Sequence, residues 1–148
     1  MSLADILLKS PVRERLIADA CVLIDEEVRT VSGFSGLAVK GAYKMVKTFK
    51  SRFVPEVVDG MLDEWMARME PHLAAWDADG RKSSLGSALA PKHAEIAEAL
   101  LTVTDGRAQK SKHGSVKKMY ERLRPSAKAH VQHAIPGLAA IVEKHLKA

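Results

Sequence analysis

Residues 33–52, GFSGLAVKGAYKMVKTFKSR, hold three glycines and five basic residues without a single acid. Such a stretch could be a loop cradling a phosphate, a helix lying on an anionic surface, or one helix of a bundle. Gly36 and Gly41 have the glycine separation of a phosphate loop, but Ala42 and Tyr43 stand where that loop needs a lysine and a hydroxyl. Set on a helix at about 100° per residue, residues 36–51 sort cleanly. Ala38, Val39, Ala42, Tyr43, Met45, Val46 and Phe49 share one broad arc, while Lys40, Lys44 and Lys47 stack opposite. The glycines fall on the flanks, where Gly41 would let another helix approach. The stretch reads as an amphipathic helix with a lysine stripe.

The next segment has the same period and the opposite charge. Val57, Val58, Met61, Leu62, Trp65, Met66 and Met69 form an apolar arc, with Glu56, Asp59 and Asp63 as a carboxylate column beside it. A short connection around SRFVP predicts a hairpin whose lysine stripe and acid column lie near each other. Read as a metal or acid–base pair instead, Asp59 and Asp63 have no histidine at ligand spacing.

Punctuation divides the rest of the chain into helices. Ser10-Pro11 predicts an N-cap and first helical residue for a helix to about Val31, with Leu16, Ile17, Ala20, Leu23, Ile24 and Val28 at helical spacing. Ser35 is the expected cap of the lysine-striped helix. Pro55 opens the acidic helix, and Pro71 is expected to break or bend it before a last turn reaching Trp76. DADGRKSSLGS places a flexible loop at about 77–87. Pro91 opens a further helix, Ser115 caps VKKMYERL, and Pro125 starts a final helix that Pro136-Gly137 kinks. No run of alternating β-branched residues marks a strand. The expectation is an all-α fold, one domain over 1–148, with about six helices in a bundle or orthogonal array.

Bulk properties fit one globular unit: 148 residues, 47% hydrophobic and 28% charged, with net charge +5 and pI near 9.4. Charge is segregated into basic blocks at 36–52 and 106–128 around an acidic block at 53–80. Cys21 is the only cysteine, so an internal disulfide and a cysteine zinc cage are excluded, and it reads as a small core residue. The N-terminal residues lack the pattern of a secretory signal, and no window is apolar enough to span a bilayer. A cytoplasmic setting is expected.

Catalytic signatures are missing. His130 and His133 share a helix face without an obvious third ligand, no histidine follows a glutamate by three, and G-x-S-x-G and G-x-G-x-x-G do not occur. No cofactor is implied. The second basic block, GRAQKSKHGSVKKMYERLR, places Val116, Met119, Tyr120 and Leu123 inward and Lys117, Lys118, Arg122 and Arg124 outward, with Arg107 upstream. With Lys40, Lys44 and Lys47, these are the candidate anion contacts. The chain has few aromatic residues to stack bases. A membrane surface is disfavoured by the lack of large apolar residues on the basic sides.

Three segments in order, SGFSGLAVKGAYK (32–44), EALLTVTDGRA (98–108) and LRPSAKAHVQHAIPGLAAIVEKH (123–145), resemble an uncharacterised bacterial family of small helical proteins. The resemblance implies a bacterial cytosolic setting and no functional residues. The leading expectation is a non-enzymatic helical binding protein, acting on a protein partner or by self-association. The alternatives are a nucleic-acid or polyanion binder using both basic blocks, and a small-molecule or lipid site between helices near Trp65, Met66, Met69 and Trp76.

Overall fold

The computed structural model describes residues 2–31, 33–49 and 52–147. Among them there is no strand. The elements are α1 (Leu3–Leu8), α2 (Val12–Thr30), α3 (Gly33–Phe49), α4 (Phe53–Ala78), α5 (Leu85–Leu89), a 3-10 turn (Ala90–Lys92), α6 (His93–Gln109) and α7 (Gly114–Lys147). The all-α expectation holds, but several boundaries differ.

Prolines end fewer helices than expected. Pro71 lies inside α4, and Pro125 and Pro136 lie inside a single 34-residue α7. A proline within a helix costs about 3 kcal/mol through a lost hydrogen bond and a steric clash. Each large apolar side chain buried contributes about 1.5–3 kcal/mol. Met66 and Met69 before Pro71, and Leu73 and Trp76 after it, are all buried, so together they outweigh the break. Pro71, Pro125 and Pro136 are themselves exposed, which leaves water to satisfy the freed carbonyls.

Caps also moved. Pro11, not Ser10, occupies the N-cap of α2, and the Ser10 hydroxyl donates to the Glu14 carboxylate. Ser115 sits inside the first turn of α7. The lysine-striped helix begins at Gly33, whose φ of 80° turns the chain sharply out of α2. Ser35 therefore lies within it, and its side chain is outside the described residues. The expected loop shrinks to 79–84, because Ser84 caps α5, and Leu85 and Leu89 are buried. Two bonds pin that loop: the Trp76 indole donates to the Ser83 carbonyl at 2.8 Å, and the Leu85 amide donates to Glu143 at 2.7 Å. The N-terminal α1 was not anticipated, although Ser2 and Asp5 form a capping box, each accepting the other's amide at 3.1 Å.

Four helices form a ring. α2 packs on α4, α4 on α6, α6 on α7, and α7 back on α2, while the diagonal pairs α4/α7 and α2/α6 scarcely approach. The short helices α1 and α5 each bridge α4 and α7, and they bring Ala4, Leu7, Leu85 and Leu89 into the core. The Ala4 amide donates to Glu70 at 2.8 Å and holds α1 against α4.

α3 lies outside this ring, against α7 and α2 more than against α4. The expected hairpin partnership of α3 and α4 is therefore weak. The carboxylate column of α4 is held instead by Arg13 of α2, whose Nη2 lies 3.0 Å from both Asp59 and Asp63. The inward arc of α3 is also rotated from its expected position. Gly36 is buried, and Val39, Ala42, Tyr43 and Val46 are half-buried, whereas Ala38, Gly41 and Met45 face outward. The Tyr43 hydroxyl donates to Asp25 of α2, and Lys47 reaches the same carboxylate at 3.5 Å. These two contacts explain the rotation.

Since burial on both sides carries α4 through Pro71, removing the ring closure should strengthen the helix. Pro71→Ala is expected to raise the unfolding free energy by about 1–2 kcal/mol in denaturant titration. A loss of stability would mean that the proline shapes a bend the core needs.

Candidate functional site

Where the diagonals of the ring do not meet and neither α1 nor α5 reaches, a cavity of about 180 Å³ remains. The apolar stripes that fold the four helices also build its walls. α2 supplies Leu16, Ala20, Leu23 and Ile24, and α4 supplies Val58, Leu62, Trp65 and Met66. α6 adds Leu100, Leu101 and Thr104, and α7 adds Val131, Ala134, Ile135 and Leu138. Ala20 and Ala134 present only methyl groups, which helps to leave the space.

The few polar atoms in the wall are already satisfied. The Trp65 indole donates to the Leu100 carbonyl at 3.2 Å and lies 3.4 Å from the Thr104 hydroxyl. Thr104 itself donates to the Leu100 carbonyl at 3.1 Å. A guest would find no free donor or acceptor. A polar group buried there without a partner would cost about 1–3 kcal/mol, so the cavity suits hydrocarbon.

Leu23 lies between this cavity and an outer groove of α2 and α7 that also includes Asp19, Glu27, Gly137 and Lys144. Gly137 makes room for it: a Cβ at that position would stand 2.6 Å from Leu23 Cδ1. Leu23 thus lines both the cavity and the groove, packed against the bare backbone of Gly137.

Ion pairs fasten the groove's two helices. Asp19 accepts from Lys144 at 3.0 Å and contacts the Nε2 of buried His145 at 2.7 Å. Lys144 first, then His145, hold the Asp19 carboxyl below its usual range. His133 Nδ1 lies 2.7 Å from Glu27, so one of the two histidines considered for metal is drawn into a hydrogen bond. The ring nitrogen Nε2 of His130 is buried with no partner among the described residues. No group of three or more metal-ligating side chains occurs among the described residues.

The anticipated anion contacts are scattered. Lys40, Lys44 and Lys47 are exposed on α3. Arg107, Lys118 and Arg122 are exposed on α6 and α7, Lys117 is half-buried, and Arg107 lies along the α4 backbone at Gly60. Arg124 turns inward, with Nε 2.8 Å from Asp105 and Nη2 3.2 Å from Glu98. Asp105 also accepts the Tyr120 hydroxyl. Burial raises the Asp105 pKa, but the bonds from Arg124 and Tyr120 outweigh it and leave the carboxyl below its usual value. Burial and Asp105 push Tyr120 well above the usual phenol range. Cys21 is half-buried, and its thiol is raised by burial and by Asp25.

Of the residues singled out as a possible ligand site, Trp65 and Met66 line the cavity, while Met69 and Trp76 are core. Ala20, Ala134 and Gly137 were missed. Their signal was small size at positions facing other helices.

The ring and its cavity define a helical protein with an apolar interior space. The chain belongs to a family of unknown function, DUF6918, which matches residues 3–146. No curated protein and no solved structure matches it. No described helix is long and apolar enough to cross a membrane.

Because the folded-state pKa of Asp19 is depressed, its contribution is present above the unfolded value near 3.9 and is lost as pH falls through the folded value. Asp19→Asn is expected to lower stability by about 1–3 kcal/mol near neutrality. The gap to the unmodified protein should close as pH drops from about 4 towards 2. Denaturant titrations across that range measure both effects.

Proposed function

We propose that the protein is a non-enzymatic binding protein of a bacterial cytoplasm that takes a small apolar ligand, or the hydrocarbon part of a larger one, between α2, α4, α6 and α7. The cavity carries this reading. It leaves about 180 Å³ between four apolar helix stripes, with almost no polar surface in its walls. An apolar space of about 150 Å³ in another protein admits benzene, so a single aromatic ring or a short alkyl chain fits here. Leu23, shared by the cavity and the groove and packed against Gly137, marks the side from which a guest would enter. The lone cysteine supports the cytoplasmic setting, and the resemblance described above supports the bacterial one.

Toluene titrated into the protein and followed by methyl NMR tests the reading. Saturable shifts at Leu16, Leu101 and Leu138 are expected. Ala134→Leu should weaken binding by about tenfold or more while holding or raising the melting temperature, since it fills a void. Undiminished binding in that variant would place the guest elsewhere.

A second reading, polyanion binding through Arg107, Lys117, Lys118 and Arg122, is supported by the exposure of three of these four side chains. Labelled single-stranded DNA, titrated at low and raised salt, should then lose affinity steeply, by about tenfold or more. Indifference at low salt removes this reading.

A further inference from the structure

α3 presents an outward face that combines lysines with large apolar side chains. Residues 33–49 contain no acid, and the contacts of Tyr43 and Lys47 with Asp25 fix which side points away from the ring. On that side Lys40, Lys44 and Thr48 form one row four residues apart. Leu37, Gly41 and Met45 form the adjacent row, so the basic side of α3 carries the large apolar residues it was expected to lack. Leu37 is 68% exposed and Met45 53%, two of the four large apolar residues left in solvent among the described residues. Gly41 between them meets nothing within 4 Å. Neither Lys40 nor Lys44 has an ion-pair partner among the described residues.

Two chemistries are thus interleaved on one helix. A nucleic acid would use the lysines but gain nothing from Leu37 and Met45, which project on the same face. An anionic bilayer uses both, because phosphates attract the ammonium groups while the boundary below accepts hydrocarbon. We propose that the outward face of α3 docks the protein on a membrane containing anionic lipid, with Leu37 and Met45 entering the acyl boundary and Lys40 and Lys44 among the phosphates. The attachment is weak and reversible, as suits one short helix face. It does not depend on the cavity reading.

The test is co-sedimentation of the full chain with phosphatidylcholine vesicles, with and without phosphatidylglycerol. Partitioning should be about tenfold greater on the anionic vesicles at low salt and should fall as salt is raised. Lys40→Glu/Lys44→Glu should abolish the lipid preference. Leu37→Ser/Met45→Ser should weaken attachment by about tenfold with its salt dependence intact. All four positions are exposed, so the melting temperature should hardly move. Equal partitioning on both vesicles, none on either, or attachment unchanged in either double variant would overturn the proposal. So would single-stranded DNA bound equally by the chain and the Leu37→Ser/Met45→Ser variant while vesicles are ignored, which would assign the face to nucleic acid.

Discussion

Four helices in a ring touch their neighbours and leave the diagonals open, and the rest of the molecule answers that constraint. A ring of this kind has an axis that side chains alone must fill. Towards one end the short helices α1 and α5 span the gap between α4 and α7, and Leu7, Leu85 and Leu89 complete the packing. Further along the axis no such helix reaches, and the walls stand apart. The cavity follows from where the chain places its two smallest helices, and from alanines at Ala20 and Ala134 that are too small to close the distance.

The charges have a similar division of labour. Arg13 takes Asp59 and Asp63, Arg124 takes Asp105 and Glu98, and Lys144 shares Asp19 with His145. Arg13 and Lys144 join helices distant in sequence, and Arg124 ties α7 to the preceding α6. Pairs whose carboxylates stay in water, as those of Arg13 with Asp59 and Asp63 do, contribute only about 0–1 kcal/mol each, so they set register around the ring more than they hold it closed. What they leave unpaired is as informative. Among the described residues Lys40 and Lys44 of α3 have no ion-pair partner, and they stand beside the exposed Leu37 and Met45.

Helix periodicity made the fold class and the main apolar stripes legible before any coordinates. At the prolines, burial outweighs the local signal. Pro71 and Pro125 have the local chemistry of helix ends, yet Leu73 and Trp76, or Ile135 and Val142, bury enough surface beyond them to carry the helix on. The rotation of α3 was invisible because it depends on Asp25, eighteen residues from Tyr43. The cavity was half legible. Trp65 and Met66 stood out as unusual, but a stripe of large apolar residues looks the same whether the space between stripes is filled or empty. Only the distance between helices decides, and no single-helix pattern encodes it.

The order of the ring along the chain has a consequence for biosynthesis. α2, α4 and α6 emerge from the ribosome before α7, yet α7 supplies two of the four contacts that close the circle and also meets α1 and α5. Until its last turns are made, the stripes of α2 and α6 have one neighbour each and lie open to water. The nascent chain therefore passes through a stage with long uncovered oily surfaces, the situation in which holding chaperones engage. Closure of the ring awaits the thirty-four residues of α7.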